Sequence, residues 1–306
     1  MIWHAIVVGG SYAGLAAALQ LARARRSVLV IDEGVRRNRF AHKSHGFLGQ
    51  DGRPPAEIAA EARRQLMLYR TVTWQAGRAE RADAGPGGFS VVDGAGARYD
   101  SLRLILATGV QDHLPPIPGL AERWGRSAFH CPYCHGYELN QGRIGVIAVS
   151  PLSMHHALML PDWGATTLLL NGAFEPDAGQ SAELARRGVT VEAGTIRSIG
   201  GTADLSMDDG RLLSFDGLFV MPRTSAASPL AAQLGCALQE GPLGPYIETD
   251  PMQETSVPGV FACGDAARAA GSVTFAVSDG AQAGVALHRS LIFGGNGLPP
   301  APPSRS

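Results

Sequence analysis

Ile2-Trp3-His4-Ala5-Ile6-Val7-Val8, followed by Gly9-Gly10-Ser11-Tyr12-Ala13-Gly14, is the stretch that decides the fold. The first seven residues are an apolar run of strand length. Beyond the glycines, Leu15, Ala18, Leu19 and Ala22 recur at helical spacing on one face. Ser27 to Ile31 reads as a second strand and ends at Asp32-Glu33. The pattern is a βαβ unit with a glycine turn at its first strand–helix junction. Such a turn aims backbone N–H groups and a helix N-terminus at a pyrophosphate. Asp32 stands where an acidic group accepts from a ribose hydroxyl. One position departs from Gly-x-Gly-x-x-Gly: Ser11 replaces the middle glycine. The strand, helix and acidic residue in the right order support the reading where the turn alone would be weak.

Working outward, Leu102 to Leu106 is another buried-type strand, closed by Ala107-Thr108-Gly109. His113-Leu114-Pro115-Pro116-Ile117-Pro118-Gly119 reads as a stiff linker. A second βαβ-like pattern follows: strand Ile144 to Val149, helix Leu152 to Leu160, strand Thr166 to Leu170. Gly241-Pro242-Leu243-Gly244-Pro245 reads as a second linker. Gly259-Val260-Phe261-Ala262-Cys263-Gly264-Asp265 is a strand running into a glycine turn and an aspartate. A helix is expected from Phe275 to Phe293, and a frayed Pro/Ser-rich tail from Leu298 to Ser306. The expected fold is α/β, with two Rossmann-like nucleotide-binding domains, the second inserted into the first. The outer domain comprises residues 1–115 plus 246–306, and the inner one 116–245.

Composition agrees with a two-domain globular enzyme. The chain has 306 residues, 45% hydrophobic and 17% charged, with 39 glycines for turns. A net charge of -1 gives no reason to expect nucleic acid or an anionic membrane as partner. No apolar run reaches the roughly 20 residues of a membrane span. Met1-Ile2-Trp3-His4 shows no basic leader, so a cytoplasmic protein is expected. Of the four cysteines, Cys236 and Cys263 read as small buried hydrophobes. Cys131 and Cys134 lie two residues apart in His130-Cys131-Pro132-Tyr133-Cys134-His135-Gly136-Tyr137-Glu138. A close pair can open and close as a two-electron switch. The same segment also matches a c-type haem attachment pattern, a zinc cluster or a glutaredoxin site. Haem attachment needs export, zinc lacks a second cysteine pair, and a glutaredoxin is much smaller.

These motifs in this order resemble the low-molecular-weight thioredoxin reductases of the pyridine nucleotide–disulfide oxidoreductase class. The resemblance covers nearly the whole chain. It implies FAD along the outer domain, with Gly9, Gly10, Ser11, Ala13 and Gly14 around the pyrophosphate. It implies Asp32 and Glu33 near the adenosine ribose, and Thr108, Gly109, Gly264 and Asp265 along the flavin, with Asp265 on the ribityl chain. The loop holding Arg39 and His45 would pass near the flavin. The redox cysteines would sit on the inner domain facing the flavin ring, Cys131 exchanging with substrate and Cys134 passing electrons on. The family is commonly homodimeric.

Two departures redirect the functional reading. Thioredoxin reductases usually follow the second cysteine with Asp-Gly, whereas His135-Gly136-Tyr137-Glu138 stands here. Cys-x-x-Cys-His-Gly-Tyr-Glu is similar to the dithiol oxidases that close disulfides in natural products such as gliotoxin, holomycin and romidepsin. His135 becomes the candidate acid/base. Glu138, three residues on, would lie on the same helical face and polarise it. Second, the inner domain offers Ala148-Val149-Ser150-Pro151-Leu152-Ser153 where an NADPH turn belongs. It has no glycine, and Pro151 has no N–H to give. After its second strand come Asn171-Gly172-Ala173, with no arginine until Arg186 to meet a 2′-phosphate. The expectation is an FAD-dependent oxidase of a small-molecule dithiol, with O2 as acceptor and NADPH bound weakly or not at all. An NADPH-dependent thioredoxin or disulfide reductase is the alternative.

Overall fold

The structure is a computed structural model that describes residues 1–294. The tail expected to fray, Leu298 to Ser306, lies outside the described residues. The chain divides into two compact units, 1–37 with 56–111 and 225–294, and 38–55 with 112–224.

The first unit is built on the opening βαβ pattern. Strand Ile2–Val8 pairs in parallel with Val28–Asp32 on one side and Arg98–Leu106 on the other. Val72–Ala76 extends the sheet beyond Val28–Asp32, and Val260–Ala262 joins Arg98–Leu106 in parallel. Ala5, Ile6, Val7 and Val8 are all buried, as are Val28 to Ile31, because helices and strands cover both faces of the central strands. Two further strands, Ala79–Gly85 and Gly88–Asp93, extend the sheet antiparallel from Arg98–Leu106. Helix Tyr12–Arg23 buries Leu15, Ala18 and Ala22 of the face read from the sequence, while Leu19 is only half-buried and Ala17 and Leu21 are buried instead. It packs against the long helix Val273–Phe293 at backbone distance. A Cβ at Gly280 would lie 2.0 Å from the Ala13 carbonyl oxygen, and one at Gly284 would lie 2.5 Å from that of Ala17.

The second unit repeats the parallel plan. Its sheet runs Thr190–Glu192, Gly164–Leu169, Gln141–Ile147, Gly217–Val220, Ala128–Phe129. Ile144, Val146, Leu168 and Phe219 pack one face, while Ile147, Leu169, Leu218 and Val220 pack the other. A three-stranded antiparallel sheet, Ile196–Gly200, Asp204–Met207 and Leu212–Ser214, covers the second face.

The unit boundaries differ from the sequence reading at the second linker and over residues 38–55. Gly241 to Gly244 is the turn of a hairpin between Leu238–Glu240 and Pro245–Ile247, not a crossing between domains. The chain changes unit earlier, between Thr224 and Ser225. The reason is burial: Leu230, Ala231 and Cys236 sit in the first unit's core with Ala82, Phe89 and Val91. Residues 38–55, read as part of the outer domain, group with the second unit.

Gly280→Ala forces a methyl group into the Ala13 carbonyl. We expect a loss of about 1–3 kcal/mol of stability, read as a lower melting temperature of the flavin-loaded protein.

Candidate active site

Strand Ala128–Phe129 delivers the chain into the dithiol segment at the edge of the second unit's sheet. Cys131 is the N-cap of a one-turn helix, Pro132–His135, with Pro132 at its first position. Proline fits there because that N–H would have no intrahelical partner. The Cys134 N–H donates to the Cys131 carbonyl at 3.2 Å, and the two sulfurs are joined as a disulfide with Cα atoms 5.3 Å apart. The turn thus presents both sulfurs of a small, openable ring.

The helix stops at Gly136. A Cβ there would meet the Pro132 carbonyl and the Trp163 ring, both at 2.7 Å. Tyr137–Leu139 continues as a separate 3-10 turn. Glu138 therefore does not share a helix with His135, as its spacing had implied. Its partner is His45, whose Nδ1 lies 3.4 Å from Glu138 Oε1 and 3.6 Å from Asp51 Oδ2. Asp51 is tied in turn, accepting from the Gly46 N–H at 2.8 Å, which lowers its pKa.

His135 stacks on Phe129, ring centroids 4.4 Å apart. Burial, with a smaller contribution from the His45 charge, pushes its pKa down to about 4. At neutral pH it is a neutral imidazole, able to accept a proton at one nitrogen and donate at the other. Behind it, Phe129 meets Phe219, and Phe219 meets His156 edge-on. His156 lies beside His130, the residue just before Cys131, at 5.7 Å between centroids. The dithiol turn is thus backed by rings, with a histidine at each end.

In the first unit, Ser11 caps helix Tyr12–Arg23 through its extended backbone, and its side chain makes no capping bond. Gly9 takes φ +98°, and its backbone passes so near Ala107 that a Cβ would be 2.2 Å from that carbonyl oxygen. Gly14 would place a Cβ 1.8 Å from the Gly9 oxygen. The Gly10 N–H donates to Asp32 Oδ1 at 2.9 Å. Gly10, Asp32, Gly34, Arg36, Arg63 and Trp74 line a cleft of about 400 Å³, with the Arg63 guanidinium over the Trp74 ring. Further along the same sheet, Asp265 follows strand Val260–Ala262 and pairs with Arg37 at 2.8 Å. The model of the pyridine nucleotide-disulphide oxidoreductases matches residues 3–280.

The chain belongs to that family. It is similar to the thioredoxin reductase tcpT of Claviceps purpurea, 36% identical over 97% of this chain and 96% of that one. A solved oxidoreductase from Agrobacterium tumefaciens is 58% identical, with a TM-score of 0.94 over 96% of this chain and 100% of the other. The crystal structure of HlmI is 33% identical, with a TM-score of 0.88 over 95% and 93%. The protein is an FAD-dependent thiol–disulfide oxidoreductase, related to thioredoxin reductases.

The flavoprotein family implies FAD, and the first unit's cleft fits its adenosine half. A bare helix N-terminus suits phosphate, and a carboxylate and an arginine-backed indole suit ribose and adenine. Of the residues expected around the cofactor, Gly9, Gly10, Ser11, Ala13, Gly14 and Asp32 gather at this turn. The Gly109 carbonyl accepts from Ala227 at 3.4 Å, after Thr108, whose backbone adjoins Gly9. Gly264, at φ +69°, packs a hypothetical Cβ 2.9 Å from that of Ala13. Glu33 instead meets Arg78 at 3.5 Å. Arg39 and His45 fall in the second unit, Arg39 over Phe40 and His45 against Glu138.

Sequence reading missed Asp51, His130 and the ring wall of Phe129 and Phe219, since nothing in spacing brings separate strands and loops together. On helix Ser153–Met159, His155 is exposed while its neighbour His156 is 3% exposed.

His135 and His156 are held neutral, with pKa values of about 4 and about 3 against an ordinary 6.5. The unfolded chain protonates both below pH 6.5 and the native state does not. Stability is therefore full above that pH and falls as pH drops toward 4, each site adding a slope of about 1.4 kcal/mol per pH unit. His135→Gln should reduce the acid-side slope by about one proton, measured by urea unfolding across this range. An unchanged slope would show that His135 is not buried in its neutral form.

Proposed function

We propose that this oxidoreductase is a dithiol oxidase: it closes an intramolecular disulfide in a small-molecule dithiol and hands the electrons through its flavin to O2. The observation that carries this reading is the state of the second unit's nucleotide turn. The Val149 N–H donates to Ser153 Oγ at 3.1 Å and the Leu152 N–H to Ser150 Oγ at 3.3 Å. The Ser153 and Met154 N–H groups go to the carbonyls of Ser150 and Pro151. Pro151 has none to offer. A pyrophosphate would therefore have to displace existing hydrogen bonds, each of which leaves a costly unpaired group when broken. The helix that follows, Ser153–Met159, spans only seven residues. Near the site of a 2′-phosphate, Asn171 Oδ1 is taken by the Ile196 N–H at 2.8 Å. Arg187 is taken by Asp162 and the Leu158 carbonyl.

In this reading a substrate thiolate attacks the Cys131 sulfur. The Cys131–Cys134 bond breaks, and a mixed disulfide forms. The second substrate thiol then displaces Cys131, so substrate leaves as a disulfide and the protein holds both thiols. Electrons and protons balance, since two S–H bonds pass from substrate to protein. His135, neutral beside Cys134, accepts the proton that each substrate thiol gives up on becoming a thiolate and passes it to the cysteine thiolate released. Glu138 and Asp51 act one step back, through His45. Gly9, Gly10, Gly14, Asp32 and Asp265 would hold the flavin, which would supply a two-electron acceptor with O2 as the final oxidant and hydrogen peroxide as product. A homodimer in solution is part of the proposal, by likeness to the family.

The names of the thioredoxin reductase relatives favour a second reading, in which a donor such as NADPH reduces the flavin and the cysteines reduce a disulfide. One experiment separates the two. In air, the purified protein with dithiothreitol should consume O2 and form peroxide, while excess NADPH leaves the flavin yellow for minutes. Rapid bleaching by NADPH with no dithiol-dependent O2 uptake would overturn the oxidase. Cys134→Ser should lower dithiol turnover by at least about a hundredfold and spare flavin binding.

A further inference from the structure

His156 is used by none of the chemistry above. It sits on helix Ser153–Met159, directly after the glycine-less turn, and its side chain points into the unit rather than out of it. The residue is 3% exposed, and its Nδ1 has no hydrogen-bond partner among the described residues. A buried polar atom left unpaired is destabilising, and native proteins seldom keep one without cause. What surrounds it is aromatic: Phe219 edge-on at 6.1 Å, His130 at 5.7 Å and His155 at 6.1 Å between ring centroids. The titratable groups acting on it are His130, from the segment before Cys131, and His155, from its own helix, and no carboxylate is among them. His130 is covalently next to Cys131. The orphaned nitrogen therefore lies one residue's contact away from the disulfide.

We propose that His156, together with His130, is a redox-linked proton site of the dithiol. While Cys131 and Cys134 are joined, the disulfide has no proton to share, and the imidazole stays neutral with an unmet nitrogen. Opening the disulfide adds two electrons and two protons. One of those protons moves from a cysteine S–H to the His130–His156 pair, leaving that cysteine as thiolate; shared between the two rings, it gives the unmet nitrogen a hydrogen-bond partner. The pair keeps the cysteines poised to release electrons. His156 is a positioning residue in this scheme, acting through His130. The inference rests on Cys131 and Cys134 as the redox pair and holds for either direction of net electron flow.

The test reads the ring itself. Protein with 15N-labelled histidine is followed by long-range 1H–15N NMR over pH, as the disulfide and after opening by a phosphine reductant, which works without a dithiol substrate. His156→Gln assigns the resonance. In the disulfide form His156 should show one neutral tautomer across the range. In the dithiol form its two nitrogen shifts should converge toward those of a protonated ring, with a proton affinity at least about tenfold higher. A Cys131→Ser/Cys134→Ser variant should show no change with the phosphine. Identical His156 shifts in both redox states would overturn the proposal, whatever the oxygen assay shows. In parallel, His156→Leu removes the unmet nitrogen while keeping apolar contact with Phe219. It should hold or raise the melting temperature, yet alter the pH profile of dithiol turnover. A lower melting temperature with an unchanged profile marks a purely structural histidine and would also overturn it.

Discussion

The backbone of Gly9 has to pass between two neighbours that leave no room for a side chain. On one side is the Ala107 carbonyl, 2.2 Å from where a Cβ would stand, and on the other is Gly14, whose own Cβ would lie 1.8 Å from the Gly9 oxygen. Only glycine satisfies both, and Gly9 adds a φ of +98° that L side chains avoid. This squeeze brings the start of helix Tyr12–Arg23 onto the ends of strands Ile2–Val8 and Arg98–Leu106. The Ser11 side chain makes no capping bond to the helix that follows, and Gly10, just before it, lines the cleft. The same helix then meets Val273–Phe293 through Gly280 and Gly284, again at backbone contact. The cofactor cradle and the packing of the first unit are therefore one constraint. A change at any of these glycines acts on both.

The second unit shows what the same plan becomes when that constraint is lifted. Its parallel sheet is complete, and its core residues are as well buried as those of the first. Its strand–helix turn, however, has a serine four residues after Val149 to receive the N–H that a phosphate would otherwise take. Backbone donors must be paired somewhere. Here they are paired inside the turn, so the unit folds without a ligand. A serine and a proline stand here where the first unit has glycines, and the scaffold around them is the same parallel plan.

Local pattern carried far in the sequence. Both βαβ units, the strand before Asp265 and the long final helix follow from periodicity and turn residues. What sequence could not supply was contact between distant segments. Gly241 to Gly244 looks like a linker because Gly and Pro mark any turn, hairpin or crossing alike. Only the burial of Leu230 and Cys236 in the first core decides between them. Glu138 falls three residues from His135, and helical spacing would pair them. The close approach of Gly136 to Trp163 ends the helix first and turns Glu138 toward His45. The ring wall behind the cysteines joins an edge strand, a central strand and a helix, which no spacing rule connects.

That ring wall explains why imidazoles suit this dithiol better than a carboxylic acid would. A carboxylate buried against Phe129 and Phe219 would have to be protonated or paired with a cation, and either state would fix its proton. A neutral imidazole in the same place carries one N–H and one lone pair, so it can give or receive without first being ionised. His135 is placed this way by its stack on Phe129, and His156 by its contact with Phe219. The charged groups are kept one step away, where Asp51 and Glu138 meet His45. The arrangement separates two tasks. The apolar wall holds the neutral rings, and the carboxylates, 67% and 40% exposed, stay at the solvent side. A pair of cysteines that gains and loses two protons with its electrons needs both.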